Sequence, residues 1–218
     1  MGTYLITGAS SGIGAAVAEA LDGHDLILAG RSAGRLHGRN TFRTLEIDLA
    51  DPSALASAPL PGRLDGLVHS AGMADLGRVE EMSVAQWQEQ LSVNLVAAAE
   101  LTRLLLPALR AARGRVVFVN SSAGLRANPG WAVYAASKHG LRALADALRA
   151  EEPALAVTTV YPGRTATPMQ QRVRAQEQGE YDPEDYIRPA TVAQVIVNAL
   201  TTPRDAVLTD VTVRPAPR

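Results

Sequence analysis

Eight residues constrain this chain more than any others: TGASSGIG, Thr7 to Gly14. They follow a β-rich run, TYLIT, and open a stretch of helical character, GIGAAVAEALDG. A strand feeding a glycine-rich turn and then a helix lets the backbone come close to a pyrophosphate. The helix N-terminus brings free N–H groups and a partial positive charge to the same spot. Glycine also serves tight turns that bind nothing, and the strand–turn–helix setting is what gives the motif its weight.

The rest of the chain continues the alternation. DLILAG, FRTLEID, LDGLVHSAG, GRVVFVNSSAG, LAVTTVYPG and AVLTDVTV read as further strands. Residues 83–112 read as a long helical region with Trp87, Leu91, Leu95 and Ala98 on one face, which Pro107 is expected to bend or end. YAASKHGLRALADALRAE places Leu141, Leu144 and Leu148 on one side, and TVAQVIVNAL reads as another helix. Strands alternating with helices imply an α/β fold: a doubly wound, mostly parallel (Rossmann-type) sheet of about seven strands with helices on both faces. A chain of 218 residues, 47% hydrophobic and 20% charged, is expected to form a single dinucleotide-binding domain over 1–218. Residues 164–190 stand apart as one long irregular or mixed stretch, polar and rich in Gln, Glu and Arg, and a mobile loop is expected there.

Composition removes several classes of function. There is no cysteine, which excludes disulfides, thiolate catalysis and Cys-ligated metals. His24, His37, His69 and His139 share no metal-ligand spacing. A net charge of −1 gives no field to attract nucleic acid or an anionic membrane. Neither a signal-peptide pattern nor an apolar run of about 18 residues is evident, so a cytoplasmic location without a spanning helix is expected.

The end of the second strand bears on cofactor choice. NAD sites carry Asp or Glu there for the ribose 2′-hydroxyl, and NADP sites place Arg near the 2′-phosphate. Here AGRSAGR offers Arg31 and then Ser32, with no acid. Arg31 pairs well with a phosphate and Ser32 adds a hydroxyl donor, so NADP(H) is expected over NAD(H). A solvated Arg31 is the bland alternative.

Tyr134 and Lys138 lie four apart in a helical stretch and project from the same face. An ammonium beside a phenol favours the phenolate and draws its pKa from about 10 toward working pH. Such a phenol exchanges protons with a carbonyl or hydroxyl oxygen. Alone, the pair is weak, because the same spacing arises by chance in many helices as two solvated side chains. Ser121 shifts that balance, because it ends the fifth strand, where ligands bind in an open α/β sheet. Asn94, in the apolar run LSVNLVAAA, needs polar partners if buried.

With these residues in place, the chain resembles the short-chain dehydrogenase/reductase family over essentially its whole length. The matches are Thr7-Gly8-x-x-x-Gly12-x-Gly14, Asp48, Ser70-Ala71-Gly72, Asn94, Ser121, Tyr134, Lys138, and Pro162-Gly163 with Thr167. The resemblance implies that Tyr134 is the acid/base, that Lys138 lowers its pKa and bonds the nicotinamide ribose, and that Ser121 orients the carbonyl. Asn94 is implied to hold a water in a relay with Lys138. Gly8, Ser10, Ser11, Gly12, Ile13 and Gly14 would follow the pyrophosphate, with Arg31 and Ser32 at the 2′-phosphate and Asp48 and Leu49 beside the adenine. Ser70, Ala71 and Gly72 complete the cofactor wall, and Pro162, Gly163, Thr165 and Thr167 hold the nicotinamide end. The implied activity is hydride transfer between NADP(H) and a small carbonyl compound or secondary alcohol, in a homodimer or homotetramer. A cofactor-binding regulatory protein without turnover and an NAD-preferring dehydrogenase are the competing readings.

The chain departs from the family pattern at two places. HSAG replaces Asn-Asn-Ala-Gly after the fourth strand, and His69 is expected to be a strand-end residue rather than a catalytic one. Arg164 and Thr165 stand where the family has an aromatic or aliphatic residue followed by Ile or Val. Arg164 thus either meets an acidic substrate group or is solvated. Trp131 is placed to line a substrate pocket with Met169 and Leu125, or to pack in the core.

Overall fold

In parallel sheets both faces are covered, so strands read as unbroken apolar runs. The computed structural model of the protein, which describes residues 1–31 and 42–216, bears this out. Its first half contains β1 (Thr3–Thr7), α1 (Gly12–Ala20), β2 (Asp25–Gly30), β3 (Phe42–Glu46), β4 (Gly66–His69), α2 (Val84–Leu91) and α3 (Ala97–Ala112). The second half contains β5 (Arg115–Val119), α4 (Ala132–Glu151), β6 (Ala156–Pro162), α5 (Pro168–Gln176), α6 (Pro189–Thr201) and β7 (Asp210–Val213). Among the described residues seven strands form one sheet, ordered β3-β2-β1-β4-β5-β6-β7, and every pairing is parallel.

Alternation along each strand divides the core in two. Leu5, Ile27, Leu67, Val116 and Phe118 point to one face, where Leu101, Leu105 and Leu109 of α3 and Leu141 and Leu148 of α4 cover them. Their neighbours Ile6, Leu28, Val68 and Val117 point to the other, under Val17 and Leu21 and under Val192, Ile196 and Leu200 of α6. Full burial of each such side chain contributes roughly 1.5–3 kcal/mol. β7 is the exception: it is short, and its residues alternate between exposed and half-buried, as suits the edge of a sheet.

The fold sharpens three expectations. Pro107 lies inside α3 and does not end it. The helical run instead changes pitch at Ser92–Val96, a π-helical turn between α2 and α3. Second, the stretch 164–190 is mixed rather than irregular. They contain α5, started by Pro168 and capped by Thr167, whose hydroxyl accepts the Gln170 N–H at 3.2 Å. Third, the continuous helix Val84–Ala112 is long and apolar enough to cross a membrane by length and composition. In the fold, Leu101, Leu105 and Leu109 of this helix are fully buried in the core.

Candidate active site

β1 and β4 are neighbours in the sheet, although β2 and β3 come between them in the chain. The crevice at such a reversal, outside the carboxyl ends of the strands, is where open α/β sheets bind ligands. Thr7 closes its floor: Oγ1 accepts the N–H groups of Ser70 and Ala71, each at 3.1 Å. This draws Ser70-Ala71-Gly72 against the glycine turn. Gly8 has φ +68°, and a Cβ there would lie 2.7 Å from Ala71 Cα, so only glycine fits. A Cβ on Gly14 would overlap the Gly8 carbonyl oxygen. Ser11 is the N-cap of α1 but makes no side-chain capping bond, which leaves the first-turn N–H groups for a ligand.

A cleft of about 780 Å³ runs from this turn across the sheet edge. Arg31, Asp48 and Leu49 line one end, and Gly8, Ser10, Ser11, Gly12 and Ile13 line the middle together with Ser70, Ala71 and Gly72. Ser121, Tyr134 and Lys138 line the far end, with Pro162, Gly163, Thr165 and Thr167 opposite. Gly14 and Asn94 support the wall from behind, and Ser32 lies outside the described residues. The glycine cradle, the uncapped helix start and the volume of the cleft all fit a dinucleotide.

Tyr134 and Lys138 share one face of α4, as their spacing requires, and both are buried, at 7% and 4% exposure. Lys138 Nζ donates to the Val119 carbonyl at 3.0 Å and lies 5.8 Å from the centre of the Tyr134 ring. Burial draws the ammonium down to about 8. Burial also raises the phenol above its ordinary value, and the opposing influence is a hydrogen bond with Ser121. In the protein alone the net direction for the phenol is therefore upward. The ammonium is turned toward a backbone carbonyl, and desolvation of the phenol dominates.

Asn94 is at the centre of the π-helical turn and is 2% exposed. Such turns often mark functional sites. Its Oδ1 accepts the Met73 N–H at 2.8 Å, and its Nδ2 donates to Met73 O at 2.9 Å and to Ser137 Oγ at 3.0 Å. Ser137 in turn donates to the Tyr134 carbonyl at 2.8 Å. The Asn94 side chain thus clamps the loop after β4 to the helix that carries the tyrosine. Its carboxamide bonds protein partners through both atoms, and Oδ1, with one donor, keeps a second lone pair.

Sequence reading missed two positioning residues. Asn120 donates from Nδ2 to the Lys138 carbonyl at 3.0 Å and accepts the Ser121 N–H at 2.8 Å, which fixes Ser121 relative to α4. A polar residue directly after four buried strand residues was the available signal. Ser137 gave none, because a serine inside a helix is commonplace.

The residues that depart from the family pattern are also settled structurally. His69 is buried, with Nε2 2.8 Å from Thr102 Oγ1 and its ring stacked on Phe118 at 4.9 Å. Burial lowers its pKa to about 3, so it is a neutral structural residue, as expected. Trp131 meets Tyr134 edge-on at 5.7 Å and lines the cleft with Met169. Leu125 is exposed and does not line it. Arg164 stands over the Trp131 ring at 5.9 Å and forms a two-pronged pair with Glu177 at 2.8 and 2.7 Å, so it is neither free nor simply solvated. His139 is exposed and bonded to the Ala135 carbonyl through Nδ1.

His69 yields a prediction about pH. Its folded pKa lies below its unfolded value near 6.5, so the unfolded chain binds the extra proton between about 6.5 and 3. Its contribution to stability is therefore present above pH 6.5 and is lost as pH falls, at roughly 1 kcal/mol per pH unit. Urea unfolding of the protein and of His69→Asn across that range should show the stability gap shrinking toward acid. A gap independent of pH would contradict the neutral buried imidazole.

A parallel sheet with a glycine cradle at its reversal, and with Ser121, Tyr134 and Lys138 gathered at one cleft, defines a dinucleotide-dependent oxidoreductase of the Rossmann class. The chain belongs to the short chain dehydrogenase family, whose sequence model matches residues 3–178. It is 33% identical to the Bos taurus dehydrogenase/reductase SDR family member 7B over 94% of this chain and 73% of that protein. An uncharacterized NAD-dependent oxidoreductase of Mycobacterium tuberculosis is 38% identical over 57% of this chain and 48% of its own length. Among solved structures, an alcohol dehydrogenase from Thermococcus sibiricus complexed with 5-hydroxy-NADP superposes with a TM-score of 0.86 at 25% identity, covering 100% of this chain and 99% of that one.

Proposed function

We propose that the protein uses NADP(H) in preference to NAD(H) to interconvert a small carbonyl compound and its alcohol, with Tyr134 as the acid/base. The observation that carries this reading is the shared wall, where Ser121 and Tyr134 face one cleft and Lys138 lies buried beside them. When bound, the cofactor supplies or accepts the hydride. In reduction, Tyr134 gives its proton to the substrate oxygen; in oxidation it takes one back. The raised phenol pKa keeps that proton in place for the reductive direction. The Ser121 hydroxyl accepts the Ala123 N–H at 3.1 Å, and its own hydrogen, shared with Tyr134 in the protein alone, turns to the substrate oxygen when substrate binds. Lys138, tethered to Val119, presents its remaining donors to the nicotinamide ribose. A panel of aldehydes, ketones and secondary alcohols, followed by the absorbance of NADPH, tests the reading. Tight cofactor binding with no turnover on any of them would favour a regulatory protein.

Cofactor preference rests on Arg31, exposed at the cleft rim just past β2, with no carboxylate at the strand end. A guanidinium there pairs with a 2′-phosphate, which NAD(H) lacks. The named relatives divide, one structure holding 5-hydroxy-NADP and one sequence being called NAD-dependent. Arg31→Ala should weaken NADPH binding about tenfold or more, the scale of a lost hydrogen bond to a charged group, and leave NADH nearly unchanged. Equal or tighter binding of NADH by the unmodified protein would overturn the preference.

A further inference from the structure

Among the described residues, one buried side-chain polar atom has no hydrogen-bond partner: Nε2 of Gln170. The residue is 8% exposed and lines the cleft. Burying an amide donor without a partner is unfavourable, and such groups in folded proteins call for an explanation. Here the surroundings supply one. Gln170 sits in the first turn of α5, a helix of nine residues with no acidic residue in that turn. The start of α5 packs against the glycine turn, since a Cβ on Gly12 would lie 3.1 Å from Thr167 Cγ2. The adjacent Met169 has its Cε 3.8 Å from a Cβ placed on Gly72, where Lys138 Nζ is equally near. Successive helical residues diverge by about 100°, so Met169 and Gln170 address different parts of the cleft.

We propose that Gln170 is a cofactor-binding residue whose side-chain amide donates to the phosphate on the nicotinamide side of the dinucleotide. An anion at this place meets a helix N-terminus, a neutral amide donor and the adjoining glycine turn. The inference rests on dinucleotide binding by the family, and neither the choice between NADP(H) and NAD(H) nor the chemistry of Tyr134 enters it.

The test compares Gln170→Met, of the same length but without the amide, and Gln170→Glu, which sets a carboxylate against the phosphate. Dissociation constants are measured by quenching of tryptophan fluorescence, for NADPH and for adenosine 2′,5′-bisphosphate, which lacks the nicotinamide-side phosphate. Gln170→Met should bind NADPH about tenfold more weakly, and Gln170→Glu more weakly still. Both should bind the bisphosphate as the unmodified protein does. The melting temperature of Gln170→Met without ligand should be unchanged or higher, because an unpartnered donor has been removed. Unchanged NADPH binding, or equal weakening of both probes, would overturn the proposal. If NADH proves the tighter cofactor, the same comparison is made with NADH and adenosine 5′-monophosphate, so failure of the NADP(H) preference leaves the test of Gln170 intact.

Discussion

Replacing Tyr134 by Phe is expected to abolish measurable turnover while leaving cofactor affinity nearly unchanged. The substitution removes one oxygen and keeps the ring that fills the space beside Trp131. Packing of α4 is preserved, because Val133, Ala135 and Leu141 hold the helix without the hydroxyl. What disappears is the proton that compensates the charge on the substrate oxygen as hydride arrives. General acid–base catalysis contributes about 10²–10⁴-fold, and a loss of that order in kcat is expected. Isothermal titration with NADPH serves as the control. Retained activity would remove Tyr134 from the chemistry, and equal loss of binding and turnover would make it a binding residue.

A second large effect is expected at the glycine turn. In Gly14→Ala the new methyl group meets the Gly8 carbonyl oxygen, a backbone atom that cannot rotate away. Either α1 slides outward or the turn opens, and both displace the N–H groups that face the cleft. Forced overpacking of this kind costs about 1–3 kcal/mol. The expected result is a lower midpoint of urea unfolding together with weaker NADPH binding. Ala15→Gly, at a neighbouring helical position, should lower stability modestly through propensity, without a matching loss of affinity. Normal stability and affinity in Gly14→Ala would show that the turn relaxes freely.

The contrast between these residues shows what the sequence could disclose. Alternation of strands and helices is a local property, so the parallel sheet was legible from periodicity. The glycine turn was legible because its function needs glycine at fixed spacings next to a strand. Tyr134 and Lys138 were legible as a pair through helical geometry, but the direction of the phenol's pKa was not. That direction depends on how deeply the fold buries the ring and on the hydrogen bond it makes with Ser121. Both are tertiary facts. Pro107 misled for a related reason. A proline inside a helix is unfavourable in isolation, yet α3 continues through it, with Leu105 and Leu109 on either side packed in the core. Gln170 lies at the limit of this kind of reading. In sequence it is one glutamine in a polar run, and only the fold reveals that its side-chain nitrogen Nε2 is buried and unpartnered.

Direct transfer of isotope tests the proposed chemistry most simply. NADPH carrying deuterium at the transferable position of the nicotinamide is incubated with the protein and a set of aldehydes and ketones, and the alcohols are analysed by mass spectrometry. Stereospecific incorporation of one deuterium at the former carbonyl carbon, absent with Tyr134→Phe, is the predicted result. Cofactor bound tightly with no labelled alcohol from any carbonyl, or the same labelling with Tyr134→Phe, would contradict it.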